Sequence, residues 1–68
     1  MTTEQLRKAL GELNGQRDAV FRFTGDTADC TVTDAMLIPD EGDELVKVSD
    51  GKHVYIIDAS RVAWIRIG

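Results

Sequence analysis

Few side chains in this sequence are equipped for chemistry beyond packing. It has one cysteine, Cys30, and one histidine, His53. A catalytic thiol needs a neighbouring base or an electropositive niche. Cys30 sits between Asp29 and Thr31, so it is expected as a small buried hydrophobe. His53 follows the turn pair Asp50-Gly51 and is expected as a solvated imidazole. It would become a pH-sensitive or metal-binding feature only if several copies brought their histidines together. One cysteine and one histidine make no zinc-ligand set and no intramolecular disulfide. Asp40, Glu41, Asp43 and Glu44 offer oxygens to a hard cation. Their spacing lacks the alternating ligands and distal glutamate of a calcium loop, so a solvated loop is expected. No Gly-rich phosphate loop and no serine or cysteine triad pattern is present. The sequence thus predicts no cofactor, no metal and no enzymatic activity.

Two aromatic residues and five cations remain. Tyr55 and Trp64 are candidate stacking platforms for bases, but both lie inside apolar runs, where packing is the ordinary role of such rings. Arg22, Lys47 and Arg66 each sit between apolar neighbours in a strand-like run, and Lys52 and Arg61 sit in turns. These five are the candidate contacts to nucleic acid or to an acidic partner. The net charge is −4, and residues 26–44 carry seven acidic and no basic side chains. That stretch should repel nucleic acid, whose binding rests on phosphate neutralisation. It could instead meet a basic surface on another subunit or protein.

The elements that position these residues are short. Leu6, Leu10 and Leu13 form one apolar stripe with Ala9, which predicts a helix over about 2–14. Thr2 and Gln5 have capping-box spacing, and Met1 is placed to pack on Leu6 as a hydrophobic staple. Gly11 is the weak point: either a second backbone approaches there or the helix ends a turn early. Beyond Gly15 the period becomes two. Strands are expected at about 18–24, 28–38, 44–49, 52–57 and 62–67. In the long second strand Asp34 breaks the alternation, and a bulge there would turn Leu37 inward. Asp50-Gly51 predicts a tight hairpin, and Asp58–Arg61 a short turn of 3₁₀ type.

A single domain, 1–68, follows from this length. One helix cannot cover both faces of a five-stranded antiparallel sheet, so a mainly β fold is expected, with the sheet curled into a small barrel beneath the N-terminal helix. The order of elements resembles the Sm-like family of small barrels, which share the SH3-like architecture, and within it the Hfq-like bacterial group of RNA chaperones. The resemblance is carried by the helix followed by five strands, and by Tyr55-Ile56-Ile57-Asp58-Ala59-Ser60-Arg61-Val62. There a tyrosine precedes a small-residue turn into the last strand. Ile56 and Ile57 stand where that group has a Lys-His pair. Cys30 or Val32 falls near its strand glycine, and Asp34 alone could play its acidic residue. The resemblance implies the barrel and a ring-forming habit, in which the fourth strand of one subunit pairs with the fifth of the next. It does not carry over uridine-tract binding.

The last two strands lack a clean polar face. A chain this short buries only about 60% of its unfolded surface and, without covalent or metal staples, needs partner subunits. Tyr55, Ile57, Ala63, Ile65 and Ile67 are therefore the expected seam between copies. The functional expectation is a non-enzymatic, homo-oligomeric interaction or assembly module. The alternatives are an Sm-like RNA-binding ring and an acidic protein that blocks a nucleic-acid-binding partner. No apolar run approaches the roughly 18 residues of a membrane span. The N-terminal residues lack the apolar core of a secretory signal, so a cytoplasmic protein with a free thiol is expected.

Overall fold

A computed structural model describes residues 1–68. Its helix α1, Thr3–Leu10, starts as its sequence requires. Thr2 Oγ1 accepts from the Gln5 N–H at 3.1 Å, and Gln5 Oε1 accepts from the Thr2 N–H at 2.9 Å. Two otherwise orphaned backbone donors are thereby satisfied. The helix ends at Gly11, short of the expected Asn14. Leu13 still reaches the core beside Leu6 and Leu10, because the Leu13 N–H bonds back to the Leu10 carbonyl at 3.0 Å. Met1 stays 43% exposed. No helix is long and apolar enough to cross a membrane.

Six strands follow: β1 Ala19–Phe23, β2 Cys30–Val32, β3 Met36–Leu37, β4 Val46–Ser49, β5 Val54–Ile57 and β6 Val62–Ile67. They form two antiparallel three-stranded sheets, β2-β1-β6 and β3-β4-β5. The fold is therefore mainly β with one N-terminal helix, but the expected curling into one closed barrel does not occur, since β5 and β6 are not paired with each other. The strand expected over 28–38 is two strands. Asp34, with φ +48°, takes the left-handed conformation that a continuous strand cannot contain. Asp18 Oδ1 accepts from the Asp34 N–H at 3.1 Å. The next N–H, of Ala35, donates to the Arg17 carbonyl at 2.8 Å. The chain thus leaves the first sheet at Val32 and joins the second at Met36. Beyond the break Leu37 packs against the core, whereas Met36 is exposed.

Between the sheets lies one small core. Phe21 and Val32 from the first sheet meet Val46 and Val48 from the second, with Leu6 and Leu10 of α1 closing one end. Phe21 and Phe23 share the inner face, their rings nearly parallel with centroids 6.2 Å apart. Only 13 of 68 residues are buried, none of them polar, so little apolar area is available to offset chain entropy.

The break at Asp34 is testable. Asp34→Gly should leave stability unchanged or raise it, since glycine adopts positive φ freely. Asp34→Val should lower it by about 1–2 kcal/mol, the cost of a left-handed conformation. Urea denaturation of the three proteins would measure both. Equal midpoints for the valine and glycine variants would contradict the conformational role given to this residue.

Candidate functional site

Strand edges and outward faces follow from the registers. Residues opposite one another in an antiparallel pair project to the same side of the sheet. In the second sheet Val46 faces Ile57 and Val48 faces Tyr55, while Lys47 faces Ile56 and Ser49 faces Val54. Val46, Val48 and Ile57 are buried, so Lys47, Ile56, Ser49 and Val54 point outward. Met36, opposite Ser49, shares that outer face. The outer face of this sheet is thus largely apolar, with Met36 47%, Val54 55% and Ile56 61% exposed.

The first sheet is built differently. Ala19 and Phe21 point into the core, opposite Ile67 and Ile65 of β6. Val20 and Arg22 point outward, opposite Arg66 and Trp64. The β1–β6 register slips between Arg22 and Phe23, so that Phe23 faces Val62. One extra β6 residue, Ala63, is accommodated there. This bulge lets Val62 face inward and Trp64 outward although they are two apart, which simple alternation forbids. Trp64 is 39% exposed. The Arg22 guanidinium lies 5.8 Å from its ring centroid and 2.5 Å from Asp29. Val20 is buried yet lies outside the core cluster. Its cross-strand neighbours Arg66 and Thr31 leave it as a small apolar floor on the outer surface, of the kind covered by arginine stems.

The geometry sorts the residues expected at the seam into two sets. Ile57 belongs to the core, and Tyr55, Ile65 and Ile67 are half-buried against it. Ala63 is exposed on the bulge. The exposed side of β5 is Val54 and Ile56, neither of which is among the residues expected at the seam. The signal that finds them is the hairpin register: once Asp50-Gly51 is the turn, Val46 and Val48 fix which β5 residues face inward.

The five candidate cations do not gather. Lys47 reaches Glu41 and Asp43, each at 2.6 Å, and these hydrogen bonds raise its pKa while that of Asp43 is lowered by the same contact. Arg22 is engaged by Asp29. Arg61 donates to the Thr24 carbonyl at 3.1 Å. Lys52 lies in the hairpin turn, and Arg66 is exposed on the outer face of the first sheet. The acidic loop is similarly tied down at Asp40, which lies 3.6 Å from Arg7. The Arg7 guanidinium also donates to the Leu45 carbonyl.

What the structure does bring together is the turn cluster Asp50, His53 and Tyr55. Asp50 Oδ1 accepts from the N–H groups of His53 at 2.6 Å and Lys52 at 2.8 Å. Its Oδ2 lies 3.4 Å from His53 Nδ1 and accepts from the Tyr55 hydroxyl at 3.3 Å. The backbone donors stabilise the carboxylate and hold its pKa down to about 2. Burial, then the nearby Asp50 charge, raises the pKa of Tyr55. This arrangement closes the β4–β5 hairpin and holds Tyr55 in place.

Four strands end a sheet, β2, β3, β5 and β6, and the last two are the main feature. β5 ends the second sheet and β6 ends the first. Each leaves one side of its backbone unpaired, and an unpaired edge is a template for another strand. Neither edge carries proline, and the only charge within the two strands is Arg66. The 3₁₀ turn Ala59–Arg61 joins them. Asp58 caps it, accepting from the Ser60 N–H at 3.0 Å and the Ser60 hydroxyl at 2.6 Å. No protein-family model, curated protein or solved structure matches this chain.

The turn cluster predicts an acid dependence. Because the folded-state pKa of Asp50 is depressed, its stabilising effect is complete above the unfolded value of about 4 and is lost as pH falls towards about 2. Asp50→Asn should lower the melting temperature at pH 7 and flatten that acid limb. A variant that keeps the wild-type pH profile would remove Asp50 as its source.

Proposed function

We propose that this protein is a non-catalytic assembly module that associates with copies of itself by pairing the β5 edge of one chain with the β6 edge of the next. The observation that carries this reading is the pair of open, uncharged or nearly uncharged edges beside exposed Val54, Ile56 and Trp64. Each large apolar side chain left in water forgoes about 1.5–3 kcal/mol of burial, and each open edge leaves backbone donors and acceptors to solvent. A small core makes both costs weigh more. The edges differ, so the contact is head-to-tail, and a head-to-tail contact that closes on itself makes a ring.

The Sm-like reading accounts for the same features. If β2 and β3 are counted as one strand bent at Asp34, five strands follow the helix, and a 3₁₀ turn joins the last two. In that family these last two strands pair between subunits. Here Tyr55 and Ile57 would meet Ile65 and Ala63 of the next copy beneath the joined sheet, with Ile67 at its end. The partly exposed state of Tyr55, Ile65 and Ile67 supports that placement. RNA binding in such a ring draws less support. Ile56 and Ile57 replace the basic pair, and Arg22 and Lys47 are occupied by carboxylates. A role as an acidic blocker is likewise weakened, because Glu41 and Asp43 already share the one charge of Lys47.

Light scattering tests the proposal. The wild type should have a mass that is a multiple of 7.5 kDa. Ile56→Lys replaces an exposed side chain, leaves the core intact, and should weaken association by about tenfold to a hundredfold, the burial of one large apolar group. A wild type that stays at the single-chain mass at every concentration would end the proposal.

A further inference from the structure

Between α1 and β1 the chain turns at Asn14-Gly15. Asn14 is the only asparagine, and it is exposed. We infer that Asn14 is a site of non-enzymatic covalent modification, deamidation through a cyclic imide, held back in the folded chain by the Gly15–Ala35 hydrogen bond. Asparagine is a thermolabile residue, most of all before glycine, which has no side chain to block attack by its own peptide nitrogen. The fold favours glycine at 15. Its φ is +84°, whereas an added Cβ would meet Met36 Cε at an ordinary 3.5 Å, so backbone conformation rather than space excludes other residues. Asn14 Oδ1 accepts from the Gln16 N–H at 3.0 Å. This Asx turn folds the amide back along the Gly15 peptide and draws electron density from its carbonyl carbon.

The reaction needs only water and hydroxide. Hydroxide takes the Gly15 N–H proton, the nitrogen attacks Asn14 Cγ, and the Cγ–Nδ2 bond breaks. The leaving nitrogen takes a proton from water and departs as ammonia. Ring closure is favoured because the attack is intramolecular. Water then opens the imide at either carbonyl, giving aspartate or isoaspartate. In the folded chain the Gly15 N–H donates to the Ala35 carbonyl at 3.0 Å, which keeps its proton from hydroxide, so the segment must open before the chemistry starts. The two products differ in consequence. Aspartate keeps an oxygen for the Gln16 N–H. Isoaspartate routes the main chain through an extra methylene and displaces the Gly15 nitrogen from Ala35, the residue whose own N–H ties the Asp34 break to Arg17. A chain that has opened thus carries a permanent mark of it. The comparable pair Asp50-Gly51 is protected on both sides. Its Gly51 N–H donates to Ser49 Oγ at 2.9 Å, and the Asp50 carboxylate, accepting from the Lys52 and His53 N–H groups, stays ionised and is a poor electrophile.

Incubation of the full chain in mildly alkaline buffer, native and in guanidinium chloride, tests this. Intact mass spectrometry should show the gain of an amide converted to an acid, and peptide mapping should place it at Asn14 rather than at Gln5 or Gln16. The native chain should react about tenfold more slowly than the unfolded one, since opening costs at least one hydrogen bond. Asn14→Ser should abolish the gain. The isoaspartyl species, separated by chromatography, should unfold at a lower urea concentration than unreacted chain, whereas Asn14→Asp should match the wild type. An unfolded chain that gains no mass at Asn14 would rule out the site. Equal rates in the native and unfolded chains would overturn the protection by the Gly15–Ala35 bond. An isoaspartyl species with the wild-type midpoint would refute the link to the Asp34 break.

Discussion

The architecture turns on a backbone constraint at Asp34. A strand continuing from Cys30 to Ile38 would belong to one sheet. With Asp34 at positive φ, held by the Asp18 carboxylate and followed by the Ala35–Arg17 bond, the chain changes sheets instead. Two sheets can then face each other across Phe21, Val32, Val46 and Val48, and α1 need cover only one end of the gap. This arrangement also decides where the ladders stop. Each sheet then ends on one side at a strand beside the break, β2 or β3, and on the other at β6 or β5.

Electrostatics plays a local part in holding this frame. The carboxylates of Asp50 and Asp58 serve as turn caps, accepting from backbone or hydroxyl donors two or three residues further along the chain. Glu41 and Asp43 fold back onto Lys47. Most of these groups are exposed, where an ion pair contributes a few tenths of a kcal/mol to about 1 kcal/mol and is screened by salt. Their value is geometric: they fix the loops at either end of the β4–β5 hairpin and so keep its outer face in a defined shape.

Local features were legible in the sequence because local chemistry produces them. The Thr2–Gln5 cap, the Asp50-Gly51 hairpin and the 3₁₀ turn at Ala59–Arg61 each depend on residues close in the chain. Asp34 stood out as an interruption, but nothing nearby stated that it would split one strand into two. The faces of β5 and β6 were harder. Alternation yields two parities and is silent on which one meets the core. In β5 the answer comes from Val46 and Val48 across the ladder. In β6 it comes from a slipped register against Phe23, which breaks the alternation that the run Val62–Ile67 displays. Tyr55 and Ile57 are accordingly expected at the seam, whereas Ile57 belongs to the core and Tyr55 packs half-buried against it. The closed barrel failed for a related reason: curling is a property of long, continuous strands, and β2 and β3 are too short to carry it across the break.

The uneven pair of edges sets a requirement on polymer geometry. A chain that offers one edge and accepts another has no intrinsic stop; growth ends only when the rotation per copy divides a full circle. Were copies to join as proposed, small changes in the angle between the sheets, which meet at the Asp34 break, would separate a finite particle from an endless filament. In the proposed assembly a substitution far from the joint, at Asp18, would convert one into the other without touching a residue of either edge.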